Sequence, residues 1–127
     1  MSLSQYFEKA KGIGVLATTD SSGEVNQAIY VKPCFLDAND DATCSFIMAE
    51  RRTHDNISRN PSAAYLFLEE GVGYAGKRLS LTAIKEDADP EKIKIVRRRS
   101  APPMTEEEGK FLVHFHVEGV RPLIGNA

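Results

Sequence analysis

Along most of this chain apolar positions recur at every second residue, and helical spacing is confined to short stretches. Residues 13–19, 42–49, 62–68, 77–84 and 111–120 read as strands, as alternating patterns or short β-branched runs. Residues 24–36 read as a further long strand, bent near Pro33. In the last strand Phe111, Val113, Phe115 and Val117 fall on one face. Leu3, Tyr6, Phe7 and Ala10 follow helical spacing, which predicts a first helix over 4–11 with Ser4 as its cap. A second short helix is predicted to start at Thr53, whose side-chain oxygen can accept from the N–H of Asp55 or Asn56. Asn60-Pro61 stops it. Asp89-Pro90-Glu91 supplies a cap, a first-position proline and a first-turn acid, so a third helix runs to about Arg99. Residues 101–103 read as a loop and 105–108 as one more helical turn.

The connections are short and carry turn chemistry, as in Asp20-Ser21-Ser22-Gly23, where Gly23 suits a positive φ. Six strands with hairpin-type links and no regular βαβ alternation predict a mainly β chain, a six-stranded antiparallel barrel forming one domain over 1–127. The strand at 42–49 is expected to return antiparallel to 24–36. That pairing would set Cys34 nearly opposite Cys44, as two free thiols or, conceivably, a disulfide.

Composition narrows the function classes. The chain has 127 residues, 42% hydrophobic and 27% charged, with a net charge of −2. No global basic field recruits nucleic acid or an anionic membrane. No apolar run approaches the roughly 18–20 residues of a membrane span. The N-terminus lacks the basic-then-apolar form of a signal peptide, and two cysteines do not make a disulfide scaffold, so cytoplasmic residence is the expectation.

Positive charge is clustered at Arg51-Arg52 and Arg97-Arg98-Arg99. Two arginines just ahead of a helix start suit an anion site, because free N–H groups and partial positive charge converge there, and by themselves they equally fit an ordinary capped helix with surface charges. Asp55 in the first turn opposes such an anion. Arg97 to Arg99 read as a solvated helix end. Gly71-Val72-Gly73-Tyr74-Ala75-Gly76 matches a dinucleotide fingerprint as a string, but an alternating strand follows it where a helix is required. It reads as a hairpin connection. His114 and His116 share one strand face and read as partly exposed sheet histidines, because a metal site needs further ligands. No Ser/His/Asp or Cys/His arrangement has the sequence context of a nucleophilic site.

Taken together, Val25-Asn26-Gln27-Ala28, a return through Phe46-Ile47-Met48, then Arg52-Thr53-x-x-Asn56-Ile57 and Asn60-Pro61-x-Ala63 resemble one family. It is the FMN-binding split-barrel family related to pyridoxamine 5′-phosphate oxidase. The resemblance covers about residues 6–121. It implies a split-barrel homodimer with FMN at the interface, acting as an oxidoreductase or redox carrier with an unknown small-molecule or protein redox partner. It implies that Arg52 and Thr53 bind the FMN phosphate, with Arg51 and Asn56 in support. Asn26, Gln27 and Ala28 would line the flavin, and Ile47, Met48 and Ala49 would offer backbone groups beside the ring. The oxidase's aromatic and basic C-terminal segment has no counterpart here, and the chain contains no Trp, so pyridoxamine 5′-phosphate oxidation is not carried over. No catalytic residue, metal site or nucleic-acid partner is assigned. Alternatives are F420 or haem in the same fold, or a non-enzymatic β-barrel module binding RNA or another acidic partner.

Overall fold

The computed structural model describes residues 2–71, 73–100 and 109–125. The expected turn at 105–108 and loop at 101–103 lie outside these residues. Six strands form one antiparallel sheet: β1 (Gly12–Thr19), β2 (Val25–Ile29), β3 (Thr43–Met48), β4 (Ser62–Glu69), β5 (Gly76–Asp87) and β6 (Phe111–Pro122), in the order β2-β1-β4-β5-β6-β3. Among the described residues three helices accompany it: α1 (Leu3–Lys9), α2 (Arg52–Arg59) and α3 (Pro90–Ser100).

The sheet curls until its two edges meet. Cys34, just beyond β2, and Ser45 on β3 exchange both backbone hydrogen bonds, at 3.0 and 2.8 Å. Among the described residues that single bridge joins the edges, and β2 and β3 are not otherwise paired with each other. The result is a split barrel, mainly β: the strand count and hairpin links predicted the antiparallel barrel, and the family resemblance implied the split. Its interior is packed by large side chains such as Leu16, Phe46, Tyr65, Phe67, Leu79 and Phe115, all 2% exposed or less. Burial of each contributes about 1.5–3 kcal/mol. A second apolar cluster, Cys34, Ile47, Ile93, Val96 and Leu112, lies on the other face of β3 and β6, beneath α3.

Several expectations are corrected. The long strand over 24–36 is only Val25–Ile29. Pro33 has no N–H to give a ladder, and the chain leaves the sheet after Tyr30, whose N–H makes a last bond to Gly14. Along its length β3 pairs with β6 rather than with β2. Cys34 therefore stands opposite Ser45, not Cys44. One residue of offset sends the two thiols to opposite faces. Cys44 lies in the barrel interior and Cys34 beneath α3, and both are free. Helix α1 is capped by Ser2, not Ser4, through a capping box with Gln5. The carboxylate of Asp41 accepts from the N–H groups of Leu3 and Ser4 at 2.8 and 3.2 Å.

Other readings hold. Gly23 has φ 90° in the β1–β2 turn. The glycine-rich segment is the β4–β5 hairpin connection, with Leu68 paired to Gly76. Asp89 accepts from the N–H of Glu91 at the start of α3, at 3.0 Å.

Candidate functional site

The cap of helix α2 lies two residues earlier than the Thr53 that its sequence suggests. Arg51 is the capping residue and makes no side-chain cap bond. The first intrahelical bond is Asp55 N–H to Arg51 C=O, at 3.0 Å. Helix geometry leaves the N–H groups before it without intrahelical acceptors, and the side chain at the cap position does not bond them. Thr53 sits inside the first turn, where its hydroxyl has another use. Its Oγ1 accepts from Asn26 Nδ2 at 3.3 Å, and it bonds the hydroxyl of Tyr30.

The buried face of α2 is mostly polar. Thr53, Asn56 and Ile57 are buried, at helical spacing, and only Ile57 is apolar. Asn56 Nδ2 donates to Thr18 Oγ1 at 3.1 Å, and Asn60 Nδ2 donates to Thr19 Oγ1 at 2.8 Å. The opposite face carries Arg52, Asp55 and Arg59 into solvent. Arg52 reaches Glu24 at 3.8 Å and Arg59 reaches Asp55 at 3.6 Å, both in exposed pairs that contribute little stability.

A cavity of about 560 Å³ opens between this face and the β1–β2 turn, lined by Asp20, Ser21, Arg52, Asp55, Asn56 and Arg59. Its charge is mixed. Hydrogen bonds from Ser22, then from the Glu24 N–H, hold the Asp20 carboxyl below the usual carboxylate range. Tyr30, beside Thr53, is shifted upward by burial, which outweighs the Thr53 bond and the Arg51 charge.

The other predicted residues flank the split. Asn26 and Ala28 face inward on β2, whereas Gln27 faces out with Val25 and Ile29. Across the opening, Ile47 and Met48 bury their side chains, in the second cluster and the barrel interior respectively. Ser45 spends its backbone groups on Cys34, so alternation along β3 aims the N–H and C=O of Ile47 at the same open edge. The carbonyl of Met48 is taken by Lys110 N–H and that of Ala49 by Arg51 N–H. The structure thus bonds Asn26 and Tyr30 to Thr53, and Thr18 to Asn56 one turn further along the same face of α2, with Arg52 beside them. Gln27 lies on the outer face. Thr18, Tyr30 and Arg59 were not singled out from sequence, and Asn60 was read as a helix stop and part of the family pattern but not as a site residue, although Thr53, Asn56 and Asn60 are polar at helical spacing ahead of a proline.

Two further arrangements belong to the other end of the split. Ser45 Oγ and His114 Nδ1 lie 2.7 Å apart, and His114 Nε2 lies 3.1 Å from Asp87 Oδ2. The sequence reading missed this Ser–His–Asp chain, because its members come from β3, β6 and the end of β5. His114 is 5% exposed, not the partly exposed histidine expected, whereas His116 is open and 2.6 Å from Glu118. Ser45 is 2% exposed, and the bonds of this Ser–His–Asp chain satisfy its buried polar groups. Burial alone would raise the Asp87 carboxyl, but bonds from His114 and Asp89 N–H, with the Lys92 charge, hold it below the usual range. Burial pushes Cys44 up to about 12 and raises Cys34 as well, with Arg99 opposing the latter. Arg99 also donates to the Phe35 carbonyl at 3.3 Å, which ties one arginine of the basic triplet to the protein itself.

No protein-family sequence model matches this chain. No curated protein matches it in sequence. Solved structures match its fold. An FMN-binding protein from Syntrophomonas wolfei subsp. wolfei superposes with a TM-score of 0.77 at 16% identity, covering 98% of this chain and 85% of the other. A proposed pyridoxamine 5′-phosphate oxidase from Lactobacillus delbrueckii gives 0.69 at 20%, covering 95% and 93%. An F420 reductase gives 0.69 at 16%, covering 95% and 98%. At these identities the likeness is one of fold: this chain has the split-barrel fold that these structures share. Among the described residues no helix is long and apolar enough to cross a membrane.

Proposed function

We propose that this protein is an FMN-binding flavoprotein, an oxidoreductase or redox carrier, with the cofactor phosphate held at the start of α2. One observation carries the reading: an uncapped helix start, with Arg52 beside it, stands at the open part of the split between β2 and β3. The donor set fits a phosphate monoester. Free N–H groups and a guanidinium supply directed, charge-assisted hydrogen bonds. Arg52 and the first-turn N–H groups grip the phosphate, with Arg51 nearby. Thr53 and Asn56 act from the buried side, since their side chains are engaged with the β1–β2 hairpin. Asn26 and Ala28 line the flavin on β2, and the backbone of Ile47, with Met48 and Ala49 alongside, faces its ring edge. FMN itself supplies the electron-transfer chemistry, and the protein binds and orients it.

The cofactor lies at a homodimer interface. Ile29, Val15 and Leu66 form one row across β2, β1 and β4 on the outer face, with Ile13 and Val25 nearby. Ile13, Val25, Ile29 and Leu66 are 40–64% exposed, an apolar face that a second copy would cover and that carries Gln27 to the interface. Leu66→Glu turns the dimer into a monomer in sedimentation velocity. A wild-type protein that sediments as a monomer at micromolar concentration with FMN bound contradicts this arrangement.

The purified protein is yellow, with flavin absorbance bands and the mass of FMN in the released cofactor. A colourless protein that also fails to bind added FMN overturns the reading. Release of F420, the cofactor named for one structural neighbour, would keep the fold reading and replace the ligand.

A further inference from the structure

We propose that Thr18 is a positioning residue for the phosphate clamp: through Asn56 it fixes the start of α2 against the β1–β2 hairpin. This rests on the FMN reading above and adds a residue that touches no cofactor.

Thr18 is 2% exposed, as is Asn56. A buried hydroxyl and a buried amide are costly unless they satisfy each other, and here they do, at 3.1 Å. Their placement is paired. Thr18 and Asn26 are direct cross-strand partners on β1 and β2. Thr53 and Asn56 are three residues apart on α2 and so share a helix face. Asn26 holds Thr53 and Thr18 holds Asn56, which makes a four-residue frame between hairpin and helix. One residue along, Thr19 takes Asn60 at 2.8 Å.

An apolar contact in this place would bury area without fixing register. Directed hydrogen bonds fix it, because each has a narrow range of length and angle. Arg52 immediately precedes Thr53, and the uncapped N–H groups belong to the same turn. Any slide of α2 along the hairpin therefore moves all the phosphate donors together. The flavin ring, contacted from β2 and β3, does not depend on that slide. The frame thus acts on FMN affinity and spares riboflavin, which is the same flavin without phosphate.

The test is titration of the full chain with FMN and with riboflavin, followed by flavin fluorescence. Wild type prefers FMN. Thr18→Val keeps the shape and removes the acceptor, and it lowers FMN affinity by about five- to tenfold with riboflavin affinity unchanged. Thr18→Ser restores the preference. If Thr18→Val does not fold, Asn60→Ala loosens the frame from its exposed end and reduces the preference by about twofold. An unchanged preference in the variant that folds overturns the positioning role. Equal losses for both flavins also overturn it and leave Thr18 a stability residue. A wild type that binds both flavins equally sinks the phosphate site itself, and the frame's role with it.

Discussion

Two of the helices that lie against the sheet, α2 and α3, are anchored by opposite means. α3 buries Ile93 and Val96 on Cys34, Ile47 and Leu112. α2 buries Thr53, Asn56 and one isoleucine, and meets Thr18, Thr19 and Asn26 through side-chain hydrogen bonds. Apolar burial contributes more free energy per residue, whereas a hydrogen bond contributes only about 1 kcal/mol net but has direction. The sheet is therefore stabilised where α3 covers it and positioned where α2 meets it. The helix held by direction is the one whose start we propose as the phosphate site.

Substitutions separate the two roles. Ile93→Ala, in α3, costs about 2–4 kcal/mol in urea unfolding and leaves the preference for FMN over riboflavin unchanged. A lost preference there would mean that both helices shape the site. Arg52→Ala weakens FMN binding by about 10–100-fold, the scale of a charge-assisted hydrogen bond, with the urea midpoint unaltered because its side chain is exposed. The smallest effect is at the base of α3, where Asp87 bonds His114. The Asp87 carboxyl is held low in the folded state, so its contribution is complete above about pH 4 and disappears as pH falls through the folded value. Thermal unfolding followed from pH 6 to 3, taken in about one-unit steps, shows a shallower decline for Asp87→Asn than for wild type. Parallel curves would remove Asp87 from the acid response.

Much of this was legible along the chain. Alternation located all six strands, and Asp89-Pro90-Glu91 located the start of α3. The order of elements around Asn26, Met48 and Arg52 pointed to the split barrel. Pairing was harder, because a strand's pattern fixes which face is buried and not which neighbour it meets. Hence β3 was matched to β2 when its partner is β6. The cysteines followed that error, since opposition depends on register and Cys34 stands across from Ser45. Thr53 was read as a cap because threonine favours that position. In the fold its hydroxyl answers Asn26 and Tyr30, partners that no local pattern could supply. For the same reason His114 was read as an ordinary sheet residue, although Ser45 and Asp87 arrive from two other strands.

The central claim is that the start of α2 binds the cofactor's phosphate. The most direct measurement is the ratio of FMN to riboflavin affinity in wild type and in Arg52→Ala. The account predicts a clear preference for FMN in wild type that falls by at least about tenfold in the variant, with riboflavin binding unchanged. Equal affinity for the two flavins in wild type, or a preference that survives the loss of Arg52, would contradict it.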